Sequence, residues 1–155
     1  MPNYFFNGNS LSLDYPAVMG ILNLTPDSFS DGGNFMDTNL AVEKALQMVN
    51  EGAQIIDLGG ESTRPGSEPV SVKEEINRVI PIIEKLPLDK FVISIDTTKA
   101  EVAKLALELG AHIINDVSGG KKQLLNLAQK HQSGFILMHS PVSYTHLRAH
   151  ETSID

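Results

Sequence analysis

The sequence predicts an α/β fold on a parallel sheet, and three observations carry that prediction. Five short β-rich runs, at 17–23, 54–58, 91–96, 112–115 and 135–139, alternate with four segments of helical periodicity. Several of the runs are apolar without alternation, as expected of strands covered on both faces. Polar residues gather where the runs end: Asn23, Asp57, Asp96, Asn115 with Asp116, and His139. In parallel βα architectures, whether open sheet or barrel, ligands bind at the carboxyl ends of the strands. The polar ends therefore point to one site.

Each helical segment has its own signals. Val42, Ala45, Leu46 and Val49 form one apolar stripe, and Gly52 follows where a left-handed residue commonly closes a helix. Ser71 with Glu74 three residues on is a capping box, opening a helix with the stripe Ile76, Val79, Ile80 and Ile83. Pro81 lies inside that stripe and is expected to kink or divide the helix. Thr98 with Glu101 repeats the capping device ahead of Val102, Leu105, Ala106 and Leu109, and Gly110 stops the segment. A fourth helix is expected over 122–131, with Leu124, Leu125, Leu127 and Ala128 as its apolar residues.

Composition narrows the function. A chain of 155 residues fits one domain with a sizeable core. Its formal net charge of −7 argues against binding a nucleic-acid backbone, which draws its affinity from clustered Lys and Arg. Without cysteine there is no disulfide framework and no thiolate metal site. No apolar run approaches the roughly 20 residues needed to cross a bilayer, and the N-terminus lacks the pattern of a signal peptide. A cytoplasmic location is expected.

The loops after the strands carry the chemistry. After Asn23 comes Thr25-Pro26-Asp27-Ser28-Phe29-Ser30-Asp31-Gly32-Gly33, which is either a lid or a solvated connection. Asn23 itself either satisfies nearby backbone or offers its carbonyl oxygen to a hard cation such as Mg²⁺. The second loop, Asp57-Leu58-Gly59-Gly60-Glu61-Ser62-Thr63-Arg64-Pro65-Gly66, can hold an anion through amides, hydroxyls and a guanidinium, although it lacks a Walker-type Gly-Lys-Ser/Thr. Asp57 either orients one of these loops or contacts substrate. Asp96 accepts two hydrogen bonds side by side and Asn115 both donates and accepts, a pair suited to a flat, amide-like ring. His112 and His131 are expected at the surface. His139 ends the last run, and His146 and His150 have metal-like spacing without an evident third ligand.

Three stretches, GILNLTPDSFSDGGNF, IIDLGGESTRPGSEPVS and ISIDTTKAEVAKLALELGAHIINDVSGG, strongly resemble bacterial dihydropteroate synthase. The likeness runs from about Tyr4 to His139 in order. It implies part of a (β/α)8 TIM barrel, with about five of the eight strands present. It also implies the joining of 6-hydroxymethyl-7,8-dihydropterin diphosphate to 4-aminobenzoate, giving 7,8-dihydropteroate and diphosphate in folate biosynthesis. By the same resemblance, Asn23 is the Mg²⁺ and diphosphate ligand, and Asp96 and Asn115 hold the pterin ring. Thr63 contacts the pterin substrate, and Ser62 and Arg64 belong to the loop around the aminobenzoate pocket.

The resemblance is partial. A barrel of this type needs about 250 residues. The family's later pterin-contacting aspartate and lysine, and its Arg-x-His pair, have no counterpart here. Residues 1–140 are therefore expected to be the N-terminal part of the barrel. Residues 141–155, PVSYTHLRAHETSID, do not resemble the family and read as a translated sequencing adapter. The expected parent is a homodimer, and the chain alone is expected to be inactive. The alternative is a pterin-binding module without diphosphate chemistry, as in the related domains of corrinoid methyltransferases.

Overall fold

The computed structural model describes residues 3–25, 37–62 and 66–139. A two-stranded antiparallel hairpin, β1 (Asn3–Phe6) and β2 (Asn9–Ser12), comes first. A five-stranded parallel sheet follows: β3 (Met19–Asn23), β4 (Ile55–Gly59), β5 (Val92–Asp96), β6 (Ile113–Asp116) and β7 (Gly134–Leu137). Its helices are α1 (Thr38–Asn50), α2 (Val72–Ile83), α3 (Ala100–Glu108) and α4 (Lys122–His131). Each strand pairs with the next in chain order, β3-β4-β5-β6-β7. A doubly wound sheet reverses its order at a switch point. This one does not reverse, and right-handed crossovers then place all the helices on one face, as in a barrel. The described chain is a five-strand portion of a (β/α)8 barrel, as the sequence predicted.

Strand pleating sorts the residues between two faces. The helix-facing set includes Leu22, Ile56, Leu58, Ile93, Ile95 and Ile114, all buried, and packs with Ala41, Ala45, Val79, Ile82, Ile83, Val102, Ala103 and Ala106. The other set lies in register across the sheet. Asn23, Gly59, Asp96, Asn115 and Ile136 form the row nearest the carboxyl ends. Beneath them run Ile21, Asp57, Ser94, Ile113 and Gly134. Met19, Ile55 and Val92 form the lowest row.

The hairpin was not anticipated, although the Asn7-Gly8 dipeptide signals one. Both residues have positive φ, 42° and 83°, as a two-residue hairpin turn requires. Phe6 packs on Ile55, Val92 and Ile113, so the hairpin covers the amino end of the sheet. Asn7 Nδ2 donates to the carbonyls of Leu107 (3.2 Å) and Ala111 (2.7 Å), which fixes it to the loop after α3. An apolar groove of about 730 Å³ runs alongside, lined in part by Phe6, Leu11, Ile55, Ile113 and Ile136. It lies toward the amino ends of the strands and meets the carboxyl-end row only at Ile136.

Several local expectations change. α2 runs through Pro81 as one helix; the proline sits in its last turn and forgoes the bond to the Asn77 carbonyl, with little helix beyond it to be displaced. Ser71 is the expected cap, its hydroxyl accepting from Glu74 N at 3.2 Å. Thr98 is not a cap: Lys99 holds that position, and Thr97 Oγ1 accepts from Lys99 N at 3.2 Å. α3 buries Val102, Ala103, Ala106 and Leu107, leaving Leu105 and Leu109 partly exposed. Both stripes share Val102 and Ala106, and the helical period alone does not choose between them. His112 is buried, not at the surface; its Nδ1 accepts from Ile93 N at 2.9 Å, and burial lowers its pKa. Among the described residues, no helix is long and apolar enough to cross a membrane.

Candidate active site

Five polar side chains share the non-helical face toward the carboxyl ends of its strands: Asn23 on β3, Asp57 on β4, Ser94 and Asp96 on β5 and Asn115 on β6. Gly59 is the floor between two of them. A Cβ built there would lie 3.6 Å from Asp96 Oδ2 and 3.8 Å from Asn23 Oδ1, so any side chain would stand in the space both atoms face. Asn23 is exposed and Asp96 half-buried.

Asp57 turns out to orient a neighbour, not a loop. It is 3% exposed, and its Oδ2 accepts from Asn115 Nδ2 at 3.0 Å. That bond uses one of the two Nδ2 hydrogens and fixes the amide's orientation, leaving the second hydrogen and Oδ1, so Asn115 can still both donate and accept toward a ligand. Burial pushes the Asp57 carboxyl up, offset in part by Ser94 and Asn115. Asp57 Oδ1 and Ser94 Oγ are nevertheless buried without a partner at hydrogen-bonding geometry.

Asp96 is raised to about 7, first by burial and then by the negative charges of Asp57, Glu75, Asp116 and Glu61. It is a carboxylate whose charge lacks local compensation. A ligand edge that brings N–H donors or developing positive charge would supply it.

Asp116, one residue beyond Asn115, faces the helix side and has a structural task. Its Oδ1 accepts from Ser118 N at 2.8 Å and from the Ser118 hydroxyl, and its Oδ2 from Gly120 N (2.8 Å) and Lys121 N (3.1 Å). Burial opposes ionisation, but these four donors hold the carboxyl below its ordinary value. A depressed pKa contributes stability above the unfolded value that is lost as pH falls through the folded one. Asp116→Asn is expected to cost about 2–4 kcal/mol in urea unfolding near neutrality, with the deficit shrinking below about pH 4.

Ser62 is described, and its carbonyl accepts from Ser67 Oγ at 2.6 Å. Thr63 and Arg64, residues 26–36 of the candidate lid, and His146 and His150 lie outside the described residues. His139 is exposed just beyond β7. Among the described residues, no group of three or more His, Asp or Glu side chains is placed to hold a metal ion. Sequence reasoning missed the Lys99–Glu61–Glu75 cluster under the second loop, where Lys99 Nζ reaches both carboxylates at 2.6 Å. Its members are scattered over 38 positions, so no local motif announces them.

A barrel-type sheet with polar side chains in register at its carboxyl edge has the layout of an α/β small-molecule enzyme scaffold. The family profile "Pterin binding enzyme" matches residues 19–153, and the chain belongs to that family. It is 55% identical over 125 residues to the dihydropteroate synthase of Synechocystis, covering 79% of this chain and 43% of that protein. To the Escherichia coli K12 dihydropteroate synthase it is 56% identical over 114 residues, covering 73% and 40%. Among solved structures, Xanthomonas albilineans dihydropteroate synthase with 4-aminobenzoic acid superposes with a TM-score of 0.85 at 43% identity, covering 97% of this chain and 56% of that one. The same enzyme in complex with 7,8-dihydropteroate gives 0.78 at 42% identity, covering 90% and 52%. The chain spans less than half the length of these two curated relatives.

Proposed function

We propose that this chain is the pterin-binding part of a dihydropteroate synthase. The intact protein would condense 6-hydroxymethyl-7,8-dihydropterin diphosphate with 4-aminobenzoate, releasing diphosphate and 7,8-dihydropteroate for tetrahydrofolate synthesis. The observation that carries this reading is the register of Asn23, Gly59, Asp96 and Asn115 along one strand-end row. Two acceptors, Asp96 and the Asn115 carbonyl, stand beside a bare glycine floor and match a flat ring with adjacent N–H donors. Thr63 would contact the same substrate, and Ser62 and Arg64 would border the aminobenzoate.

The chemistry asks for no side-chain nucleophile, and the row offers none. Diphosphate leaves from the pterin methylene, and the positive charge left behind spreads into the ring. Asp96, rich in uncompensated negative field, favours that charge where it develops. The loops would exclude water and hold the amine in line.

Asn23 fits a Mg²⁺ site of a limited kind. One neutral amide oxygen at an exposed strand end suits a hard cation that keeps most of its waters and binds chiefly through the substrate's phosphates. When bound, the ion would neutralise charge building on the departing diphosphate. The intact protein would be a cytoplasmic homodimer.

Calorimetric titration with the pterin diphosphate, with and without Mg²⁺, tests the assignment. Binding that Mg²⁺ tightens about tenfold or more supports a synthase site. Binding indifferent to Mg²⁺ favours a pterin-binding module without diphosphate chemistry, and absence of binding contradicts both.

A further inference from the structure

We infer that Lys99 is a positioning residue: its ammonium, shared between Glu61 and Glu75, pins the base of the 61–70 loop to the strand end carrying Asp96. The inference rests on the proposed site and adds a residue that touches no substrate.

The geometry closes a ring. Lys99 Nζ lies 2.6 Å from Glu61 Oε2 and 2.6 Å from Glu75 Oε2. The other oxygen of Glu61 accepts from Val70 N at 2.9 Å, so one carboxylate joins the start of the loop to its end. Below it, Gly60 O accepts from Arg78 Nη1 at 2.8 Å, and Arg78 is paired with Glu74. Gly60 packs so closely on α2 that a Cβ would come within 2.8 Å of Glu75 Cγ. On the other side, the segment from Asp96 to Lys99 is held in place. Thr97 N donates to Asn115 O at 3.3 Å, and Thr97 Oγ1 accepts from Lys99 N. Ser62, next to Glu61, is thus referenced through Lys99 to Asp96 and Asn115.

Stability alone does not account for this cluster. Glu75 is fully buried and its Oε1 has no partner, an arrangement a packed apolar side chain would improve upon. What such a cluster supplies here is a single geometry: three charged groups from separate segments meet at one point. One ammonium meeting carboxylates from a loop and a helix fixes both relative to the β5–α3 turn that supplies it.

Hydrogen exchange on the ligand-free chain tests the assignment. In Lys99→Met, exchange at the Val70 and Ser62 amides is expected to rise about tenfold or more, with the strand amides of Ile95 and Ile114 within about twofold. Lys99→Arg should restore most of the protection. Glu61→Gln, which keeps the Lys99–Glu75 pair, should show the same loop-confined rise if Lys99→Met does not fold. Unchanged loop exchange, or an equal rise at loop and strand amides in the folded variant, overturns the inference. In a second arm, Lys99→Met should weaken 7,8-dihydropteroate about tenfold while 6-hydroxymethyl-7,8-dihydropterin stays within about threefold. Equal loss of both ligands also overturns it. A wild-type chain that binds neither ligand overturns the functional reading instead, and the exchange ratio then decides the role of Lys99 alone.

Discussion

Asp96→Ala is expected to lower affinity for a dihydropterin by about 100-fold or more. Two hydrogen bonds from ring N–H groups to an ionised carboxylate are worth about 1.5–3 kcal/mol each, and alanine removes both. The same carboxyl makes binding depend on pH. In the free chain Asp96 is raised to about 7, so below neutrality a growing fraction is protonated and has lost acceptor capacity. Affinity should then fall toward about tenfold per pH unit on the acid side. Stability runs the other way. A carboxyl whose folded pKa exceeds its unfolded value binds more protons when folded, and stability declines as pH rises from about 4 through about 7. Asp96→Asn should therefore gain on the order of 2 kcal/mol in unfolding free energy at about pH 8, allowing for partial solvent screening, while binding more weakly. Denaturant unfolding and pterin titration on the same two proteins check both signs.

A polypeptide of these 155 residues is expected to show no measurable dihydropteroate formation. Among the described residues, the two inner rows nearest the carboxyl ends contain two amides, two carboxylates and a serine hydroxyl, with no Lys or Arg on the strands' inner positions. A leaving diphosphate needs cationic neutralisation worth several kcal/mol, and Asn23 alone does not furnish it. Among the described residues the inner face has little cover: Ile21, in its middle row, is 61% exposed, and the transfer requires water to be excluded. Product formation followed by chromatography in a preparation free of host enzyme decides this, and any sustained turnover contradicts it.

Much of this was legible in the sequence because parallel strands announce themselves as apolar runs and end at one edge. Asn23, Asp96 and Asn115 could be placed at one sheet edge before any coordinates, and Asp96 and Asn115 on neighbouring strands, because parallel strands end on the same side. What escaped depends on distance along the chain. Asp57 was read as a loop-orienting or substrate-contacting group; its partner, Asn115, is 58 residues away. Lys99 reads locally as the start of a helix, and only tertiary packing brings Glu61 and Glu75 to it. The hairpin was available from Asn7-Gly8 but lay outside the βα alternation that organised the reading. His112 looks like a surface residue in sequence because burial of a neutral imidazole leaves no pattern of its own.

The central claim is that the Asn23–Gly59–Asp96–Asn115 row is a pterin platform. It is tested most directly by titrating 6-hydroxymethyl-7,8-dihydropterin into isotope-labelled chain at about pH 8, where Asp96 is ionised. The account predicts saturable shifts centred on the amides of Gly59, Asp96 and Asn115, abolished by Asp96→Ala. Shifts centred instead on the apolar groove beside the hairpin, or a response that survives Asp96→Ala, would contradict it.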